Sequence, residues 1–113
     1  MRNKAQEFAA LHVKGAPLVL YNCWDAGSAK AIVAGGAQAL ATGSLAVAAA
    51  QGYDDGEHLP MAQLLGLVGR IVQAQDVSLS VDFEGAYGEA PEMVGAHAAV
   101  LADTGAVGMN FED

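Results

Sequence analysis

Four short apolar runs alternate with helical stretches along this chain, and that alternation limits its fold more than any other feature. The runs are Leu18–Tyr21, Gln38–Ala41, Leu79–Asp82 and Ala106–Phe111. Between and before them, helices are predicted over residues 4–13, Ala26–Ala34, Leu45–Gln51, Met61–Ala74 and Ala90–Asp103. Strands that alternate with helices form a parallel sheet, because each crossover must carry the chain back to the starting end, and such crossovers are right-handed. The fold class is therefore α/β.

Local signals place the boundaries. Gly15 and Pro17 stop the first helix, with Phe8, Leu11 and His12 on one side. Asn22-Cys23-Trp24 is expected as a loop, and Asp25 as the N-cap of the next helix, since its carboxylate can accept the first free amides. Pro60 suits a first helical turn. Leu64, Leu67, Val68, Ile71 and Val72 then form a broad apolar face. In the last helix, Met93, Val94, His97, Val100 and Leu101 are expected inward. Two helix-to-strand junctions, Val33–Leu40 and Ala102–Gly108, resemble one another and form a weak internal βα repeat.

Composition bounds what the chain can do. Its 113 residues suit one domain, and a hydrophobic fraction of 53% is enough for a core. No apolar run approaches the ~18 residues that span a bilayer. Met1-Arg2-Asn3-Lys4 runs into Gln6-Glu7 rather than a leader-like apolar stretch, so a cytoplasmic protein is expected. The single cysteine, Cys23, rules out an internal disulfide and is expected in packing. His12, His58 and His97 lack metal-ligand spacing. The net charge of −8 argues against nucleic acid as a partner. All of that charge lies in residues 71–113, which hold eight acids and no Lys or Arg, whereas residues 1–70 balance five against five.

The acids are placed where an α/β sheet keeps its ligands, at the carboxyl ends of strands. Those ends carry Asn22–Asp25, Thr42-Gly43-Ser44, Asp82–Glu84 and Glu112-Asp113. Within Ser80–Gly88, Asp82 and Glu84 are two apart, so a continued strand would point both the same way. Gly85 and Gly88 follow and permit a sharp turn or a close approach. Tyr87 is expected to support that turn. The plain alternative is a solvated acidic strand end and an ordinary polar turn at 42–44.

Five segments in order resemble the isocitrate lyase / phosphoenolpyruvate mutase superfamily. They are Tyr21–Ala29, Ala41–Ser44, Gly52–Glu57, Val81–Gly88 and Gly108–Asp113. The resemblance implies the N-terminal half of a TIM (β/α)8 barrel, a single partial domain over residues 1–113. It implies Mg2+ and an α-keto acid substrate, with a C–C or C–P bond made or broken next to the carbonyl through an enolate. By the same resemblance, Asp82, Glu84 and Glu112 are metal-shell residues, with Asp82 the more direct contact and Glu84 acting directly or through water, Asp55 is the catalytic loop aspartate, Thr42, Gly43 and Ser44 hold the substrate, and Trp24 lies near the pocket mouth. Full-length members are expected as homo-oligomers.

The chain departs from that pattern in length. Such a barrel needs about 250 residues and eight strands, whereas four strands are predicted here. The superfamily's mobile loop and substrate-binding arginine come after the fourth strand. The expectation is a truncated or partial chain, with two open strand edges and an uncovered apolar face. Two other readings remain at this point: a fragment that keeps the metal shell without turnover, and a small receiver-like module with an acidic Mg2+ pocket.

Overall fold

A computed structural model describes residues 3–113; Met1 and Arg2, part of the N-terminal run weighed above as a leader, lie outside the described residues. The elements run α1 (Lys4–Ala10), β1 (Tyr21–Cys23), α2 (Ala26–Ala34), β2 (Ala39–Thr42), α3 (Ser44–Ala50), α4 (Met61–Ala74), β3 (Ser78–Asp82), α5 (Pro91–Ala102) and β4 (Gly108–Asn110). The strands form one parallel sheet in the order β1-β2-β3-β4. Chain order is the order of barrel units. A receiver-like sheet would instead place its first strand between the second and third, so that alternative fails.

Helix starts follow the sequence signals. Asp25 Oδ1 accepts the Ser28 amide at 2.7 Å while Ser28 Oγ accepts the Asp25 amide at 3.1 Å, a complete capping box. Asn3 caps α1 by accepting the Gln6 amide. The repeated helix exits are alike in structure too: Gly36 (φ 106°) and Gly105 (φ 99°) each turn the chain in the left-handed region before the next strand.

Strand register separates the two faces of the sheet. Asn22, Ala41, Ser80 and Gly108 form one row across it. Leu40, Leu79 and Val81 lie on the other face and are buried with Ala29 of α2 and Leu64, Val68 and Ile71 of α4. That is the core. On the first face, α1 packs across the strands near their beginnings. Ser78 Oγ donates to the Lys4 carbonyl, and the Phe8 ring lies so close to Gly108 that a Cβ there would meet it at 2.9 Å.

Four expectations need correction. The first strand lies at Tyr21–Cys23 rather than Leu18–Tyr21, because the ladder begins where Tyr21 meets Leu40, so Asn22 and Cys23, expected in a loop, are strand residues paired with Ala41 and Thr42. A parallel strand is set by its partner's register, and the apolar run alone does not supply one. Helix α1 ends at Ala10, leaving His12 outside it with Nδ1 against the Phe8 carbonyl at 2.8 Å. In α5 only Leu101 is buried, while Met93 (50%) and Val100 (44%) are exposed, since β4 is a sheet edge with no strand beyond it among the described residues. Finally, the two edges are open as expected, but the face opposite the core is small and polar (Asn22, Ser80, Asp82, Asn110), not apolar. Exposed large apolar side chains include Val19 and Tyr21 at the β1 edge, Phe111 just after β4 and Leu45 on α3.

Candidate active site

The acids converge where the strands end, and two loops bring them there. Strand β3 stops at Asp82, and the chain turns through Glu84 (φ 56°), Ala86 (φ 59°) and Tyr87 (φ 55°). Residues with a Cβ avoid this region, so surrounding contacts must hold them in it. Of the sharp turn or close approach expected of Gly85 and Gly88, these two residues supply the close approach, and neither is in the left-handed region. They are needed for close approach: a Cβ on Gly85 would meet Glu57 Oε2 at 3.0 Å, and one on Gly88 would meet Met93 Cγ at 2.9 Å. Glu84 is therefore not a strand residue, and it reaches the side of Asp82 by a backbone turn rather than by strand alternation.

Asp82 is held on three sides. Its Oδ2 accepts the Ser44 amide at 3.1 Å, its Oδ1 accepts the Glu84 amide at 3.2 Å, and its own amide donates to Thr42 Oγ1 at 3.1 Å. Thr42 is the buried last residue of β2, Gly43 the N-cap of α3, and Ser44 the first residue of that helix. The expected turn at 42–44 is thus a direct strand-to-helix step. Gly43 fits against Asn22, whose Nδ2 would lie 3.0 Å from an added Cβ.

Glu84 Oε1 accepts the amides of Gly56 and Glu57, both at 3.0 Å. Burial raises its carboxyl above the ordinary range, the two amides pull it back, and the neighbouring Asp55 carboxylate raises it further. Tyr87 donates its hydroxyl to the Leu59 carbonyl at 2.8 Å. Burial, together with Glu84 and Glu57, pushes that phenol to about 12, so it remains a donor. Tyr87 supports the turn as expected.

These groups form two adjoining spaces. Ser44, Asp55, Glu57, Glu84 and Glu112 line an open cavity of about 370 Å3. Beneath it Thr42, Ser44, Asp82, Glu84 and Tyr87 close around only about 10 Å3, room for one water at most. The strand ends are tied across the gap, with the Glu112 amide donating to the Glu84 carbonyl at 2.7 Å. Among the predicted residues, Ser44, Asp55, Glu84 and Glu112 therefore share the open cavity, with Asp82 and Thr42 in the layer below. Trp24 and Gly43 line neither space. Cys23 is fully buried, and its thiol is pushed to about 11 by that burial, which fits packing and not nucleophilic chemistry.

Glu57, at the end of the Gly52–Glu57 segment, is a further residue of the site: its carboxylate accepts the amides of Gly85 and Tyr87. Its partners are 28 and 30 residues away, so no local pattern announces it.

Residues 8–113 match the family described as phosphoenolpyruvate phosphomutase. The chain belongs to the phosphoenolpyruvate phosphomutase family. A solved candidate phosphonomutase of Burkholderia cenocepacia J2315 is 48% identical, with a TM-score of 0.95, and the match covers 99% of this chain and 46% of that one. A phosphoenolpyruvate phosphomutase from Streptomyces platensis subsp. rosaceus is 25% identical at TM-score 0.85, covering 98% and 38%. An uncharacterised protein of Mycobacterium tuberculosis is 34% identical over 106 residues, which are 94% of this chain and 40% of that protein. The chain thus spans less than half the length of each. For fold alone, 2,3-dimethylmalate lyase agrees at 21% identity and TM-score 0.85. The four parallel strands match the N-terminal portion of these TIM-barrel proteins, a family of mutases and lyases. No helix among the described residues is long and apolar enough to cross a membrane.

Proposed function

We propose that this chain carries the metal-shell portion of a Mg2+-dependent enzyme that makes or breaks a C–C or C–P bond beside the carbonyl of an α-keto acid. The observation that carries this reading is the convergence of Asp55, Glu84 and Glu112 with Ser44 on one open cavity at the carboxyl ends of the strands. The donors are all oxygen, the hard ligands that Mg2+ prefers. Among the described residues no three His, Cys, Asp or Glu side chains converge closely enough to cage an ion. Burial first, and the neighbouring Asp55 after it, raise the Glu84 carboxyl, and a cation beside it would favour its charged form. The residues present fit a hydrated Mg2+ held by Glu84 and Glu112, while Asp82, expected as the more direct contact, takes a positioning role in this reading because both its oxygens accept backbone amides.

When bound, Mg2+ supplies positive charge where negative charge develops on a carbonyl oxygen. The chain's own groups orient the reactants. Asp82 holds the Ser44 amide and so fixes the backbone of a residue that lines the cavity. Asp55 lies beside Glu84, where it would orient substrate or hold a proton. Thr42 and Gly43 shape the strand-to-helix step that presents Ser44, and Trp24 flanks β1 at the same end of the sheet. The same reading takes the protein as cytoplasmic and its full-length counterparts as homo-oligomers.

Titration with Mn2+ as a spectroscopic stand-in, competed by Mg2+, tests the metal. Wild type should bind one ion, and Glu84→Gln and Glu112→Gln should each weaken it by about tenfold or more. Absence of Mg2+-competable binding in the wild type overturns the reading. Incubation with Mg2+ and oxaloacetate separates enzyme from metal-binding half-site. Product formation supports the first, and metal binding without product supports the second.

A further inference from the structure

We infer that Glu57 is a positioning residue of this site, whose carboxylate clasps the turn that presents Glu84 and so sets the Asp55–Glu84 pair facing the cavity. The inference rests on the metal-shell reading above and assigns a role to a residue outside the proposed ligands.

The clasp is reciprocal. Glu57 Oε2 accepts the amides of Gly85 and Tyr87, both at 2.9 Å, while Glu84 Oε1 accepts the amides of Gly56 and Glu57, both at 3.0 Å. Each glutamate thus closes on the backbone of the other's loop. The backbone shows why such a device is needed. Glu57 (φ 66°), Glu84, Ala86 and Tyr87 all sit in the left-handed region, and none is glycine. Such geometry persists only where surrounding contacts over-determine it. An isolated loop would relax, and the carboxylate of Glu84 would swing with its backbone.

A carboxylate suits the task because it only accepts, and one oxygen can take two amides at once. Its charge strengthens both bonds. Glutamine keeps the length and one accepting oxygen, whereas alanine removes both bonds. This separates positioning from ligation. A direct ligand loses its function when its charge is lost, but a clasp needs only the accepting oxygen.

The experiment follows the backbone amides by NMR hydrogen exchange and, separately, Mn2+ affinity. In Glu57→Ala the Gly85 and Tyr87 amides should exchange about tenfold faster or more, and Mn2+ should bind about tenfold more weakly or worse. In Glu57→Gln both should stay within about threefold of wild type, because the neutral oxygen still accepts both amides. Unchanged exchange and affinity in Glu57→Ala would overturn the inference. Equal loss of affinity in both variants, with the amides still protected in Glu57→Gln, would also overturn it by making Glu57 a ligand. If Glu57→Ala does not fold, Glu57→Asp takes its place with the same outcomes, since a side chain one methylene shorter cannot hold both amides. A wild type that binds no Mn2+ defeats the site reading, and the exchange data still decide whether Glu57 holds the turn.

Discussion

Asp82→Asn is the most informative single change, because Asp82 has a structural task beside the chemical one proposed for it. Its two carboxylate oxygens accept the Ser44 and Glu84 amides. Asparagine offers one oxygen, so one amide loses its acceptor and faces an NH2 group. Hydrogen bonds to charged groups contribute about 1.5–3 kcal/mol each. Asp82 is only half-buried, and water can reach the abandoned amide, so the expected loss is about 1–2 kcal/mol. For a chain of this length that corresponds to a Tm lower by roughly 4–8 °C. Urea denaturation with an unchanged m-value measures it directly. Hydrogen exchange should identify which amide, Ser44 or Glu84, is released. Mn2+ affinity should fall by about 10–100-fold, the usual effect of losing a group that supports a metal's ligands. A variant within about 0.5 kcal/mol of wild type, the ordinary range for a neutral surface change, and with undiminished Mn2+ affinity would refute both roles.

Thr42→Val should destabilise by about 1–3 kcal/mol, since it leaves the Asp82 amide without its buried acceptor. Thr42→Ser keeps the hydroxyl and should cost about 1 kcal/mol for the lost methyl, so a valine variant as stable as the serine variant would contradict the assignment. Asp25→Ala should cost about 1 kcal/mol through the broken capping box. The Ser28 amide and hydroxyl hold the Asp25 carboxyl below its ordinary 3.8, so its contribution is present above that value and is lost as pH falls through the folded value. The gap between wild type and Asp25→Ala should therefore narrow on acidification, as followed by thermal melts. Cys23 should resist iodoacetamide at pH 8 in the folded chain and react in urea, because its thiol is buried and its pKa is raised to about 11.

Much of the fold was legible because it is written in local chemistry. The whole of α4, Met61–Ala74, follows from Pro60 and a helical apolar period, and α2 follows from Asp25 and the glycines after it. Three of the four strands overlap their apolar runs over most of their length. The first shares only Tyr21 with its run, since Leu18–Leu20 is as apolar as a strand while the ladder waits for Leu40 opposite Tyr21. In the site, the types and order of the acids were visible, as was the strand end they occupy. Their arrangement was not, because Asp55 and Glu84 meet across 29 positions and Glu84 arrives through a left-handed backbone that no glycine marks.

The sequence alone determined that strands and helices alternate, that polar groups collect at the carboxyl ends of the strands, and that the negative charge is concentrated in residues 71–113. These are properties of single segments, set by periodicity, caps and side-chain type. Tertiary structure decided the arrangement: Thr42 and Asp82 around a narrow space, Ser44, Asp55, Glu84 and Glu112 on the open cavity, and Glu57 bonded to the turn after β3. The reason is physical. Which oxygen accepts which amide depends on where two distant loops come to rest, and parallel pairing of β2, β3 and β4 brings those loops together.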